Sequence, residues 1–384
     1  MPLHGQMVAG SRALRPASEK KARSDSVTRN RYRLRHIALR SPNPAPPTSE
    51  RELDDNLSAP SESAIRALAR CPGDIIVLGA GGKMGPTLAR MLRRAADVLV
   101  KGRRVFAVSR FGSGDLNARL NEAGVETVKC DLLDRDAVAR LPDAPNVVFM
   151  AGQKFGTAGN PATTWAMNVL VPAIAAERYA SSRIVAFSTG NVYGLTPVAG
   201  AGSRETDALA PVGEYAQSCV GRERVLEYCS AMSHTPIAIL RLNYANDLRY
   251  GVLTDIALAV WRGEAVRLSM GHVNVIWQRD ANTRAIECLP LTQSPPLVVN
   301  VTGSAVLSVR DIAERFGQIF DKQPQLVGRE APDALIANTS KATKILGEAE
   351  TSVDTMISWT ADWVREGRPL LGKPTHFSAR DGAF

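Results

Sequence analysis

The spacing of apolar residues divides the chain into a first stretch without periodicity and a long, regular body. Residues 1–52 show no sustained alternation and pass through Ser41-Pro42-Asn43-Pro44-Ala45-Pro46-Pro47. Proline at that density blocks helix and strand pairing, and too little apolar surface is present to offset chain entropy. A disordered extension is expected there. Leu53 to Ala69 reads as a short amphipathic lead-in. It is followed by the apolar run Asp74-Ile-Ile-Val-Leu-Gly79, a glycine cluster, and a helical stretch from Pro86 to Ala96. Strand candidates recur at Arg104–Ser109, Asn146–Ala151, Arg183–Ser188 and Pro236–Leu242, with helix-like segments between them. Strand and helix alternating in this way predict a doubly wound α/β fold, a parallel sheet covered on both faces. After about residue 245 the pattern loosens, with helices expected near 252–262, 308–321 and 353–366. The expected organisation is a sheet domain over 53–245 and a smaller C-terminal α/β lobe over 246–384, some segments of which return to the sheet.

Length and composition narrow the function classes. The 384 residues suit two domains, or one large one with an appendage. No apolar run approaches the ~18 residues of a membrane-spanning helix, so no membrane partner is expected. The five cysteines (Cys71, Cys130, Cys219, Cys229 and Cys288) are far apart and form no Cys-x-x-Cys pair. That spacing argues against a disulfide framework or a cysteine zinc site and fits a reducing, cytoplasmic setting. The net charge of +9 is uneven: residues 1–50 hold ten basic and three acidic side chains. The basic pI therefore describes the extension, and no nucleic-acid partner is expected for the folded body. The extension itself reads as a disordered tail, an arm for anionic partners or an Arg-rich targeting peptide.

Gly79-Ala-Gly-Gly82-Lys-Met-Gly85 sets three glycines at Gly-x-x-Gly-x-x-Gly spacing between a strand and a helix. Such a loop must turn sharply, let the backbone approach a pyrophosphate, and pack the helix tightly on the sheet. The helix N-terminus then presents unpaired N–H groups to the phosphate charge. Gly79, Gly82, Lys83, Met84 and Gly85 are the expected cradle of a dinucleotide. The strand Val105–Val108 ends in Ser109-Arg110 and carries no acid for a ribose 2′-hydroxyl. With Lys83 as a second cation, this favours NADP(H), with NAD(H) as the alternative.

Together these residues resemble the extended short-chain dehydrogenase/reductase superfamily, its NAD(P)-dependent sugar epimerase/dehydratase group, from about Asp74 to about Gly367. Cys130-Asp131-Leu132 resembles the family's segment after the third strand, which implies that Asp131 and Leu132 border adenine. Phe149-Met150-Ala151-Gly152 is similar to its fourth strand, and Asn168 to the Asn of the following helix. Phe187-Ser188-Thr189-Gly190-Asn191-Val192-Tyr193-Gly194 is similar to the segment bearing the catalytic Ser/Thr, which falls on Thr189. Ile239-Leu-Arg241-Leu-Asn243 resembles the sixth strand, with its Asn one residue early. Asp280 resembles a late acidic position. The resemblance implies a Rossmann domain, cofactor contacts that include Ala151, Gly152, Asn168 and Tyr215, and a homodimer formed through the helices bearing Asn168 and Tyr215.

In that family a Tyr and a Lys four residues later share one helix face, and the ammonium lowers the phenol pKa. Here Glu214-Tyr215-Ala-Gln-Ser218-Cys219 keeps the Tyr and replaces the Lys by Cys219. Three readings stay open. Lys154 in Gly152-Gln-Lys-Phe-Gly156, or Arg222 two turns along the helix, supplies the charge; Cys219 itself reacts; or proton transfer is lost. The run Arg222-Glu223-Arg224 reads as an ion-paired helix face or a ligand clamp. His234 and His272 lack metal-ligand spacing, and no metal is expected. The C-terminal Gly372–Phe384 reads as a docked end or a fray. The expected function is hydride transfer on a hydroxyl of a sugar or sugar-nucleotide-like substrate, with Thr189, Tyr215 and Lys154 as catalytic residues. A catalytically impaired NADP(H)-binding sensor or scaffold is the alternative.

Overall fold

The computed structural model describes residues 45–99, 102–112, 114–154, 159–373 and 375–382. Most of the basic, proline-rich extension, residues 1–44, thus lies outside the described residues. The expected lead-in is two helices, α1 (Glu50–Leu57) and α2 (Glu62–Ala69). Ser58-Ala59-Pro60-Ser61 breaks them, because Pro60 cannot continue α1 while Ser61 caps α2 by accepting from the Ala64 N–H at 3.1 Å.

Then come β1 (Ile75–Leu78), α3 (Gly85–Leu99), β2 (Val105–Ser109), α4 (Leu116–Glu122), β3 (Glu126–Lys129), α5 (Arg135–Ala139) and β4 (Asn146–Phe149). Next are α6 (Pro161–Trp165), a π turn (Ala166–Leu170), α7 (Val171–Arg178), β5 (Arg183–Thr189), α8 (Gly213–Ser233) and β6 (Ile237–Leu242). The chain continues through α9 (Val252–Arg262), α10 (Gln278–Cys288), β7 (Leu297–Val301), α11 (Val309–Phe320), α12 (Ser340–Leu346) and α13 (Val353–Arg365).

The seven strands form one parallel sheet in the order β7-β6-β5-β4-β1-β2-β3, with all six pairings parallel. β1 is wholly apolar and buried, and β2 and β4 are so apart from Ser109 and Asn146, as central parallel strands must be. β3 reads Glu-Thr-Val-Lys and lies at the edge, half exposed, where its polar side chains meet water. This doubly wound sheet carries a smaller C-terminal lobe of helices and two-stranded pairings. Its core joins α9, α11 and α13 with Trp277, Trp359 and Trp363. Leu53 and Leu57 of α1 are buried in that same core. On the other face of α1, Asp54 meets Arg119 of α4 at 3.0 Å and Arg249 of the C-terminal lobe at 2.9 Å. α1 thus ties the lobe to the sheet domain through both apolar packing and charge.

The strand order reverses between β1 and β4. In open parallel sheets the crevice at the carboxyl ends of the strands around such a point receives ligands.

Candidate active site

Gly79 ends β1 at φ +90°, and a Cβ there would lie 2.5 Å from the Ala151 backbone nitrogen beyond β4. Gly85 opens α3, where a Cβ would stand 2.5 Å from the Ala80 carbonyl oxygen. Gly82 differs from both. The nearest atom to its Cβ would be the Gly79 oxygen at 3.7 Å, so the space over the loop is open. A forced turn, open space above it and a tight helix start are what a pyrophosphate on a helix N-terminus needs, and these residues fit one.

From this loop a cavity of about 370 Å³ extends along the strand ends. It brings together Gly79, Gly82, Lys83, Met84, Gly85, Gly152, Lys154, Thr189 and Tyr215 of the residues expected at the site. Ser109, Arg110, Asp131, Leu132, Ala151 and Asn168 do not line it. Ser109 stands behind the loop, where a Cβ on Gly81 would meet its hydroxyl at 2.3 Å. Arg110 is exposed at the end of β2. Asp131 is exposed and accepts from the Leu133 N–H at 3.1 Å, while Leu132 is buried in the sheet core. Lys83 turns into the cleft, its ammonium 3.2 Å from the centre of the Tyr250 ring, so the cavity does not unite it with Arg110. Burial, with repulsion from Lys154 and Lys373 and against the pull of Asp255, lowers its pKa to about 7.

Asn168 lies in the π turn, a local widening that recurs at functional sites. It is fully buried. Its Oδ1 accepts from the Gln153 N–H at 2.9 Å and from Arg222 Nη2 at 2.7 Å, and its Nδ2 donates to the Gln153 carbonyl and to Ser218 Oγ. Asn168 therefore fixes the loop after β4 to α8, and Lys154 leaves from that fixed loop. Arg222 also donates to the Phe187 carbonyl at 2.8 Å, and its guanidinium lies where a Cβ on Gly152 would fall. It forms the floor of the cleft. Glu223 is wholly buried, paired with Arg241 of β6 at 2.7 Å and accepting from Ser188 Oγ at 2.6 Å. Arg224 pairs with Glu227 on the exposed face. The charged run thus separates into one floor residue, one buried ion pair and one surface pair.

Tyr215 hydrogen-bonds with Thr189 and with Cys219, and loss of solvent around its phenol pushes its pKa well above the ordinary tyrosine value. Cys219 is buried, and burial outweighs the pull of Arg222 and Lys154, so its thiol is held protonated. The Lys154 ammonium lies 5.9 Å from the centre of the Tyr215 ring, and burial lowers its pKa to about 8. Thr189 Oγ1 donates to Asn191 Oδ1 at 3.0 Å. The chemistry available is a phenol held protonated, a hydroxyl relay and a lysine that titrates near neutrality.

Several lining residues escaped the sequence reading. Asn243, read only as the Asn of the sixth-strand motif, and Tyr244 follow β6, where position alone could have marked both as lining residues, because ligands gather at strand carboxyl ends. Tyr244 also has φ +44°, unusual for a bulky residue and typical of constrained sites. Tyr250, Gln278 and Thr375 reach the cleft only through tertiary packing, and no local signal marks them. Elsewhere, Asp280 is structural, accepting from the Thr351 N–H at 2.8 Å. No group of three or more His, Cys, Asp or Glu that could hold a metal occurs among the described residues.

A glycine loop of this shape at the switch point of a doubly wound parallel sheet defines a Rossmann-like α/β fold. Residues 75–245 match the model of the NAD dependent epimerase/dehydratase family, a stretch that runs from β1 past β6. Among solved structures, the chain is similar to UDP-glucose 4-epimerase from Thermotoga maritima with UDP-glucose. The TM-score is 0.64 and the identity 19%, over 77% of this chain and 99% of that one. It is likewise similar to the dTDP-glucose 4,6-dehydratase DesIV from Streptomyces venezuelae, with NAD and TYD bound, at TM-score 0.64 and 18% identity over 76% and 97%. A third is UDP-glucose 4-epimerase from Thermus thermophilus in complex with NAD, at 0.60 and 20% over 76% and 99%. At such identities the likeness establishes the fold. No curated protein matches the chain.

Proposed function

We propose that the protein is an NAD(P)-dependent oxidoreductase of the epimerase/dehydratase type, acting on a hydroxyl-bearing carbon of a sugar derivative, with Lys154 supplying the charge of the missing helix lysine. The observation that carries this is the convergence of Thr189, Tyr215 and Lys154 in the cavity that opens from the glycine loop. Gly79, Gly82 and Gly85 would hold the pyrophosphate against α3. When bound, the nicotinamide supplies or accepts the hydride. Tyr215 moves the proton at its phenol oxygen, and Thr189 orients that oxygen by hydrogen bonding. Burial keeps the proton on the phenol before the transfer and disfavours the phenolate left after it, so donation to a carbonyl oxygen needs a nearby positive charge. Lys154 is protonated below about pH 8, and its charge then favours the oxyanion side of that transfer.

NADP(H) is the preferred cofactor in this reading, because Arg110 is exposed at the end of β2 and makes no ion pair among the described residues. A homodimer is supported by the exposed Trp165 and Leu170 near Asn168 and by Tyr228 and Met232 on α8, apolar groups on the two helices in question. A cytoplasmic setting is supported by five free cysteines. A second reading, a cofactor-binding sensor without turnover, is favoured by one observation: the group four residues after Tyr215 is a protonated thiol.

The test is NADPH-dependent reduction of a panel of keto-sugars by the full chain and by Lys154→Ala. Retained NADPH binding with lost turnover supports the assignment, and unchanged turnover overturns it. If the wild type binds NADPH without turnover and Cys219→Lys gains it, the sensor reading holds.

A further inference from the structure

The chain beyond α13 has few apolar residues and would be expected to fray. Instead its described residues are held at several points. Phe377 is buried in the core of the C-terminal lobe. Arg380 donates to the Ser269 and Asp333 carbonyls at 3.0 Å and pairs with the Asp333 carboxylate. Gly382 packs against the start of α8, where a Cβ on Gly213 would lie 2.6 Å from its carbonyl oxygen. The segment thus spans from the C-terminal lobe to the helix that carries Tyr215.

Thr375 marks where this strap meets the cleft. It is 3% exposed, and its backbone N–H and hydroxyl both donate to Asp255 Oδ2 on α9, at 2.8 and 2.6 Å. Thr375 lines the catalytic cavity. Asp255 lines a second cavity of about 490 Å³ between α9 and the strap, which also receives the cationic Arg262, Arg267 and Lys373. The Thr375–Asp255 hydrogen bonds are therefore part of the wall between the two cavities. A buried carboxylate that would lose both donors makes that wall costly to open.

We propose that the C-terminal strap is part of the substrate site, with Thr375 as a specificity-determining residue that confines the cleft to small hydroxylated substrates and keeps out nucleotide-linked sugars. This rests on the oxidoreductase reading above and names its substrate class. The catalytic cavity must take the nicotinamide end of the cofactor as well as the substrate, and about 370 Å³ is near the lower limit of small-molecule sites. A sugar bearing a pyrophosphate and a nucleoside would extend past this cavity, and the Thr375–Asp255 contact blocks its way toward the second one, whose lining carries Arg262, Arg267 and Lys373 beside Asp255 and Glu264.

The experiment is calorimetric titration of UDP-glucose into the full chain, with and without saturating NADPH. The variants are Arg380→Ala, which frees a partly exposed latch, and the double variant Thr375→Ala/Arg380→Ala. The expected result is wild-type binding weaker than about 1 mM and at least tenfold tighter binding in the double variant. Two results overturn the proposal. One is micromolar UDP-glucose binding by the wild type; the other is variants that melt cooperatively yet bind no better than the wild type. If the double variant does not fold, Arg380→Ala alone decides. NADPH binding is read separately by fluorescence, so failure of the cofactor reading stays distinguishable from failure of the strap.

Discussion

At the glycine loop the cleft is shaped by backbone, whereas across it at α8 the cleft is shaped by side chains, and the two sides differ in what substitution can change. A Cβ on Gly79 or Gly85 would lie 2.5 Å from a backbone atom, so any side chain there forces the ends of β1, β4 and α3 apart. The helix face opposite carries Cys219 where the resemblance implies a lysine, and a thiol fits that buried helical site. A charge, unlike a close backbone approach, can be supplied from another element. Lys154, on a loop fixed through Asn168, stands where that can happen.

The sharpest way to break the comparison is Gly79→Val. The position combines φ +90° with contact to Ala151, so a β-branched residue is strained twice over. NADPH affinity measured by fluorescence should fall by about 100-fold or more, equivalent to ~2.7 kcal/mol. Wild-type affinity in this variant would mean that the loop does not carry the cofactor. Glu223→Ala tests the α8 side for stability. It leaves Arg241 buried without its partner, and urea unfolding should show a loss of about 3–5 kcal/mol. A loss under ~1 kcal/mol would mean that water or another group takes over the charge.

Much of the sheet side was legible because its physics is local. Isoleucine, valine and leucine runs that end in glycine marked β1, and β2, β4, β5 and β6 followed from the same periodicity. So did the helices found at Val252–Arg262, Val309–Phe320 and Val353–Arg365. Periodicity did not mark β3, because an edge strand keeps polar residues, and only the resemblance set a third strand before Cys130; β7 was expected only as an unplaced segment of the irregular lobe returning to the sheet. At the site, the absence of a dyad lysine could be read from Cys219. That Arg222 serves as a floor and Lys154 faces the cleft depends on the Asn168 hydrogen bonds, between residues up to 54 positions apart. Spacing carries no information about such contacts. Thr375 is the extreme case, reaching the cleft from near the end of the chain.

Lys154→Ala sharpens the comparison at the level of chemistry. Reductive turnover should fall by about 100-fold, the lower range for a proton-transfer group, while the NADPH dissociation constant stays within about threefold. Lys154→Arg should restore part of the rate, because it returns the charge with altered geometry. Equal losses in turnover and cofactor affinity would instead make Lys154 a cradle residue, and the division between backbone and side-chain sides of the cleft would fail.

The smallest effect is also the most direct reading of the cleft's electrostatics. Lys83 and Lys154 have pKa values lowered to about 7 and about 8, against 10.5 for a free lysine. In each case the folded state disfavours the charged form. Their cost to stability is therefore fully present below the folded pKa and is relieved as pH rises toward the unfolded value. Between about pH 7 and 10.5 the unfolded chain binds more protons at these sites, so their contribution to stability rises with pH. Thermal melts of the cofactor-free protein across that window should show a positive slope that flattens in Lys83→Met/Lys154→Met. At pH 7 the double variant should melt higher than the wild type, because it no longer buries two mutually repelling ammonium groups. An unchanged slope would place both lysines in water, and Lys154 would then lack the near-neutral titration that the reductive role requires.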